Sequence, residues 1–106
     1  MLEKVKNMIN FAIRGRKYTL GENVITAGKN HKVKLALLAN NASEATKKKY
    51  IDKLSYYQIP YVIYGSKEEL ANLLHKDEIS LIGILDINIA KQIKKLIKED
   101  ETNGLQ

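Results

Sequence analysis

The sequence predicts an α/β protein, a three-layer αβα sandwich on a small, mixed, mainly parallel four-stranded sheet. Three observations carry this expectation. Apolar runs at Leu35–Ala39, Tyr61–Tyr64 and Leu81–Leu85 alternate with segments of helical periodicity, as strands covered on both faces and joined by helices do. The 106 residues, 44% hydrophobic, suit one domain with a modest core and a radius of gyration of about 13 Å. No internal repeat or low-complexity linker interrupts the alternation.

Leu2, Val5, Ile9, Ala12 and Ile13 share one side of a first helix, with Gly15 as its stop. Thr19 and Glu22 fit a capping box for a short second helix that begins at Leu20, buries Val24 and Ile25 and ends near Gly28. A short strand near Lys17 and Tyr18 adds an edge. After the run at Leu35–Ala39, Ser43 caps a third helix that turns Tyr50, Ile51, Leu54 and Tyr57 to one side and ends at Ile59-Pro60. The β-branched and aromatic run Tyr61–Tyr64 follows the only proline. Ser66 and Glu69 form a second capping box, ahead of Leu70, Leu73 and Leu74. After Leu81–Leu85, Asp86 caps a last helix with Ile89, Ile93, Leu96 and Ile97 inward. The domain is expected over residues 1–98, with 99–106 as a frayed tail.

Charge is distributed unevenly. Residues 1–49 hold 11 Lys+Arg against 3 Asp+Glu, and residues 50–106 hold 7 against 9, within a net charge of +6. A one-sided positive field steers polyanions, which makes nucleic acid the first partner to consider and an anionic membrane surface the second. No stretch approaches the ~20 apolar residues of a membrane span. The absence of cysteine removes disulfides, thiolate metal sites and thiol nucleophiles and suits a reducing cytoplasm.

Enzyme signatures are lacking. His31 and His75 stand far apart, each beside a lysine, and Asp52, Asp77 and Asp86 have no companions, so neither a metal site nor paired-carboxylate catalysis is indicated. Ala27-Gly28-Lys29-Asn30 lacks the first glycine and the hydroxyl of a phosphate loop. No catalytic residue, metal, cofactor or small-molecule substrate is expected.

What remains is a basic constellation. Arg14, Arg16 and Lys17 run into the expected start of the second helix, where unpaired amides and the positive end of the macrodipole favour phosphate. Lys29, Lys32 and Lys34 follow that helix, and Lys47, Lys48 and Lys49 open the third. Loops that precede helices gather at one sheet edge in layered α/β domains, which would merge these clusters into one patch. The plainer account of Lys47–Lys49 is a solvated helix face. Glu22 and Asn23 are suited to base edges, and Gly21 to close backbone approach. Most of the six tyrosines sit where packing explains them; Tyr18 does not.

The helix start Gly21-Glu22-Asn23, the run Lys34–Ala39 and the segment Ala42-Ser43-Glu44-Ala45-Thr46-Lys47-Lys48-Lys49 through Ile59-Pro60 resemble the ribosomal protein family that binds kink-turn RNA, of the archaeal and eukaryotic large-subunit type. The similarity is greatest to its small bacterial YlxQ-type members and spans about Asn10 to Ala90. It implies that the second helix enters a major groove at sheared G·A pairs through Gly21, Glu22 and Asn23. It implies also that the loop of Lys76, Asp77, Glu78, Ile79 and Ser80 covers a flipped-out base. Where archaeal members have Asn then Glu, with Lys three residues later, this chain has Glu22, Asn23 and Thr26; altered RNA specificity is the expectation.

The RNA-contacting residues expected are Arg14, Arg16, Lys17, Thr19, Gly21, Glu22, Asn23, Lys76, Ile79 and Ser80, with further phosphate contacts from Lys29, Lys32, Lys47 and Lys48. Structured RNA, ribosomal RNA foremost, is the expected partner, with ribosomal proteins or translation factors as others. The alternative is a protein-interaction module of the translation machinery whose neutral half does the docking.

Overall fold

The computed structural model describes the backbone of residues 1–104 and the side chains of residues 1–101. The elements run α1 (Glu3–Arg14), β1 (Tyr18–Leu20), α2 (Glu22–Lys29), β2 (Leu35–Leu38), α3 (Glu44–Tyr56), β3 (Tyr61–Ile63), α4 (Lys67–Leu73), β4 (Leu81–Ile84) and α5 (Ile87–Gly104). The four strands form one sheet in the order β1-β4-β2-β3. α5 continues into the segment expected as tail, whose residues 105 and 106 lie outside the described residues.

The αβα layering follows from strands that are apolar on both faces. Leu35, Leu37, Ile82 and Ile84 face a core layer built with Val5, Ile9 and Ala12 of α1, Leu70 of α4 and Ile93 of α5. Ala36, Leu38 and Leu81 face the opposite layer, with Val24 and Ile25 of α2 and Tyr50 and Leu54 of α3. All of β2 and β4 is buried, and the Cα radius of gyration is 12.8 Å.

The sheet is mixed, but its weight is antiparallel, which corrects the mainly parallel expectation. Only β2 and β3, linked through α3, run parallel; β4 lies antiparallel to both β1 and β2. The chain leaves the edge strand β3, passes α4 and returns between β1 and β2 in the opposite sense. A fully apolar strand has the same composition in either direction.

The second correction is at Thr19. The Thr19–Glu22 capping box does not exist: Thr19 lies in β1 opposite Gly83, and the N-cap of α2 is Gly21, with no side-chain capping bond. The other caps form as the sequence suggests. Ser43 accepts from the Thr46 amide, Ser66 and Glu69 make a reciprocal box, and Asp86 accepts from the Ile89 amide at 3.0 Å.

Four helices end alike. Arg16, His31, Gln58 and His75 each have φ of 55–60°, and the next amide reaches back five residues: Lys17 to Ala12, Lys32 to Ala27, Ile59 to Leu54 and Lys76 to Ala71. This is the Schellman exit, filled here by residues other than glycine.

Candidate nucleic-acid interface

At one end of the sheet, the turn from β1 into α2 meets the loop that precedes β4. Gly21 holds φ 56° and ψ −132°, a conformation that a Cβ penalises and glycine does not. Its amide donates to the Leu81 carbonyl at 3.0 Å, which fixes the turn against β4. Leu20, Gly21, Tyr50, Lys76, Ile79 and Ser80 line an open concavity of about 320 Å³ here. The amides that open α2 have no side-chain cap and carry the positive end of the helix dipole.

Tyr50 lies on α3. Its ring is buried in the α2/α3 layer, and its hydroxyl is 3.9 Å from where a Cβ on Gly21 would stand. Burial and the Glu22 charge raise the phenol's pKa, so it stays a neutral donor. The sequence offered only helical spacing for Tyr50, which marks core, and its role in lining this concavity depends on a contact across 29 residues of chain.

Glu22 projects from the first turn of α2 into ion pairs with Lys49 and with Lys53, the latter at 3.5 Å. The Lys49 hydrogen bond, aided by the charges of both lysines, outweighs desolvation and holds the carboxyl below its ordinary value. Lys49 is raised by the same bond. Lys48 pairs with Asp52 at 3.1 Å, and Lys47 lies 3.9 Å from Glu44. The cations of α3 therefore reach this end of the sheet largely neutralised.

The wall formed by residues 76–80 is tied down. Glu78 pairs with Lys67 at 2.6 Å, which raises the lysine's pKa and removes one of the two loop charges that would repel phosphate. Asn41 bridges the same corner, accepting from the Lys67 amide and donating to Glu68, both at 2.8 Å. Ile79 is buried in the core, so it supports the loop from beneath. Lys76 is exposed and Ser80 half-buried.

The single patch expected from the sequence divides in two. Gly21, Glu22, Asn23, Lys76, Ile79, Ser80, Lys47 and Lys48 lie at or near this end. Arg14, Arg16 and Lys17 lie at the other, because β1 intervenes: the Lys17 carbonyl accepts from the Leu85 amide, whereas the Gly21 amide bonds to Leu81. Four residues of strand separate those points by about 13 Å. Lys29 and Lys32 are also at the far end, since α2 runs back along the sheet and Lys34 bonds to the Ile84 carbonyl. Thr19 is half-buried within β1, and Tyr18 packs against the α1/α5 layer.

No group of three or more His, Asp or Glu suited to a metal ion occurs among the described residues. No described helix is long and apolar enough to cross a membrane.

Residues 3–97 match the model of the ribosomal protein L7Ae/L30e/S12e/Gadd45 family. An RNA-binding protein YlxQ of Enterococcus faecium is 39% identical over 97 residues, covering 91% of this chain and 93% of that protein. The RNA-binding protein YlxQ of Bacillus subtilis is 33% identical over 91 residues, covering 85% and 91% respectively. A solved structure of a Bacillus halodurans protein of unknown function superposes with a TM-score of 0.82 at 33% identity, over 92% of this chain and 99% of that one.

Proposed function

The chain belongs to the ribosomal protein L7Ae/L30e/S12e/Gadd45 family, and on that footing we propose that it is a non-enzymatic cytoplasmic RNA-binding protein. Its ligand in this reading is structured RNA of the kink-turn kind, ribosomal RNA foremost, met in ribosome assembly or translation. The observation that carries the reading is the Gly21 notch. A side-chain-free turn presents the uncapped start of α2 inside one concavity with Lys76 and Ser80, so shape and amide donors are supplied together.

In this reading the backbone at Gly21 approaches a groove, and Asn23, exposed on the first turn, donates to or accepts from a base edge. Glu22 contributes through its restraint by Lys49 and Lys53, which orients the carboxylate toward an amino donor. Lys76 holds phosphate, and Ser80 and the Tyr50 hydroxyl face a base displaced into the concavity. Lys47 and Lys48 supply outlying phosphate contacts.

Titration of the full chain with a labelled kink-turn hairpin and with ribosomal RNA fragments tests this. Three phosphate contacts, from Lys76, Lys47 and Lys48, imply a loss of about fortyfold in affinity between about 50 and 200 mM salt. Gly21→Val should abolish preference for the structured RNA. Absence of binding to every such RNA at about 50 mM salt would overturn the proposal.

A second reading has one observation in its favour. β3 is an edge strand whose Ile63 is 49% exposed, a place where a ribosomal protein or translation factor can add a strand. Partners that persist in pull-downs after nuclease treatment, and are lost in Ile63→Lys, would support it.

A further inference from the structure

We propose that the end of the sheet opposite the notch is a second docking surface, and that its ligand is single-stranded RNA. Six cations collect there from two segments: Arg14, Arg16 and Lys17 at the exit of α1, and Lys29, Lys32 and Lys34 around the exit of α2. The backbones of Lys17 and Lys34 bond to either side of the last residues of β4, which sets them two strand spacings, about 10 Å, apart. None of the six has an ion-pair partner among the described residues, whereas Lys47, Lys48, Lys49, Lys53 and Lys67 all do. The one carboxylate that the topology places at this end, among the described residues, is Asp86, and it is engaged in capping α5.

Structural duties account for only part of this charge. Arg14 and Lys29 stand in the last turns of α1 and α2, where they complement the carbonyl ends of the helices, and Lys34 donates to the His31 carbonyl at 2.9 Å. Arg16, Lys17 and Lys32 lie beyond the helices, exposed, and their charged groups complete no helix end and no ion pair among the described residues.

Aromatic rings distinguish a single strand from a duplex, a membrane or an acidic protein. Tyr56, 79% exposed, stands edge-on to Tyr57 at 4.9 Å between centroids, and Lys29 lies 4.8 Å from the Tyr57 centroid. Across the sheet Phe11, 63% exposed, carries Arg14 at 5.6 Å. Rings backed by cations offer stacking faces to unpaired bases while the neighbouring lysines follow the backbone, the combination found in sequence-tolerant single-strand sites. The surface is distinct from the notch and stands or falls separately from it. A chain that binds at both would bridge two segments of one RNA.

Fluorescence anisotropy of the full chain with a labelled oligouridylate of about 12 nucleotides, at about 50 mM salt, tests the proposal. The Arg16→Glu/Lys17→Glu/Lys32→Glu variant should bind at least about tenfold more weakly, with a salt slope shallower by about 2. Tyr56→Ala should bind about fivefold more weakly with the slope unchanged. Gly21→Val, and wild-type protein saturated with a kink-turn hairpin, should retain oligouridylate binding. Matching thermal unfolding curves establish that the exposed substitutions leave the fold intact, and Lys29→Ala/Lys32→Ala repeats the test without charge reversal. The proposal is overturned if the reversed variant binds oligouridylate as wild type does, or if the hairpin displaces it. It is overturned equally if the reversal abolishes binding to phosphatidylserine–phosphatidylcholine vesicles while oligouridylate binding is unchanged.

Discussion

The two ends of the sheet are built from the same elements to opposite electrical effect. At the notch, α2 begins, Glu22 draws Lys49 and Lys53 onto itself, and Lys67 quenches Glu78. At the far pole α2 ends, and six cations stand without a carboxylate partner among the described residues. What the notch offers is shape and oriented donors; what the pole offers is unspent charge. In the reading proposed, recognition geometry sits where the field is weak, and steering falls to another part of the surface.

The comparison can be broken most strongly through α2, which spans both ends. Gly28 packs so closely that an added Cβ would lie 2.2 Å from Ile59 Cδ1 and 2.7 Å from its Cγ1. Gly28→Val should cost about 3 kcal/mol through overpacking and lower the melting temperature by about 10–20 °C, weakening both ends together. Gly21→Val has open space but the wrong backbone, so its cost should be about 1–3 kcal/mol, with binding lost at the notch alone. Ser43→Ala removes the α3 cap seen at 3.1 Å and should cost about 1 kcal/mol by chemical denaturation, leaving both RNA affinities in place.

The smallest change in stability should give the sharpest contrast. Glu22→Gln removes an exposed carboxylate and should shift stability by less than about 0.5 kcal/mol. It releases Lys49 and Lys53, so polyanion affinity at the notch should rise and its salt slope steepen, while preference among RNA sequences falls. An unchanged slope would show that those lysines are not available to phosphate even when freed. Acid acts on the same pair. Because the Glu22 pKa is lowered in the fold, its contribution is present above the ordinary value of 4.5 and is lost only as pH falls through the lower, folded value. NMR titration of the Glu22 carboxyl should show its midpoint below that of a free glutamate.

The strands at the centre of the sheet were legible because Leu35–Leu38 and Leu81–Ile84 are apolar without alternation, which only burial on both faces explains. β1 was legible merely as an added edge near Tyr18. It is three half-buried residues long, and Thr19-Leu20-Gly21-Glu22 imitates a capping box closely enough to draw the helix start two residues early. That small shift mattered, since it placed Arg14, Arg16 and Lys17 beside the α2 amides when a strand separates them. Strand direction was illegible for a different reason: composition records burial but not polarity. Gly21 was singled out for its missing side chain and the 76–80 loop through family resemblance, and the concavity brings them together. The Lys49–Glu22 pair and the Tyr50 hydroxyl were not, because each joins residues 27 or more positions apart and neither partner carries a local signature.

The Schellman exits have a consequence for how far this protein can be made sturdier. Left-handed backbone burdens a residue with a Cβ by roughly 1 kcal/mol, so Arg16→Gly and its counterpart at His31 should raise the melting temperature slightly. At Arg16 the same replacement erases one of the pole's charges. Engineering for heat resistance would thus flatten the electrostatic landscape on which the proposed capture of a nucleic acid strand depends, so a thermostable version selected on melting temperature alone would drift toward a well-folded but indifferent surface.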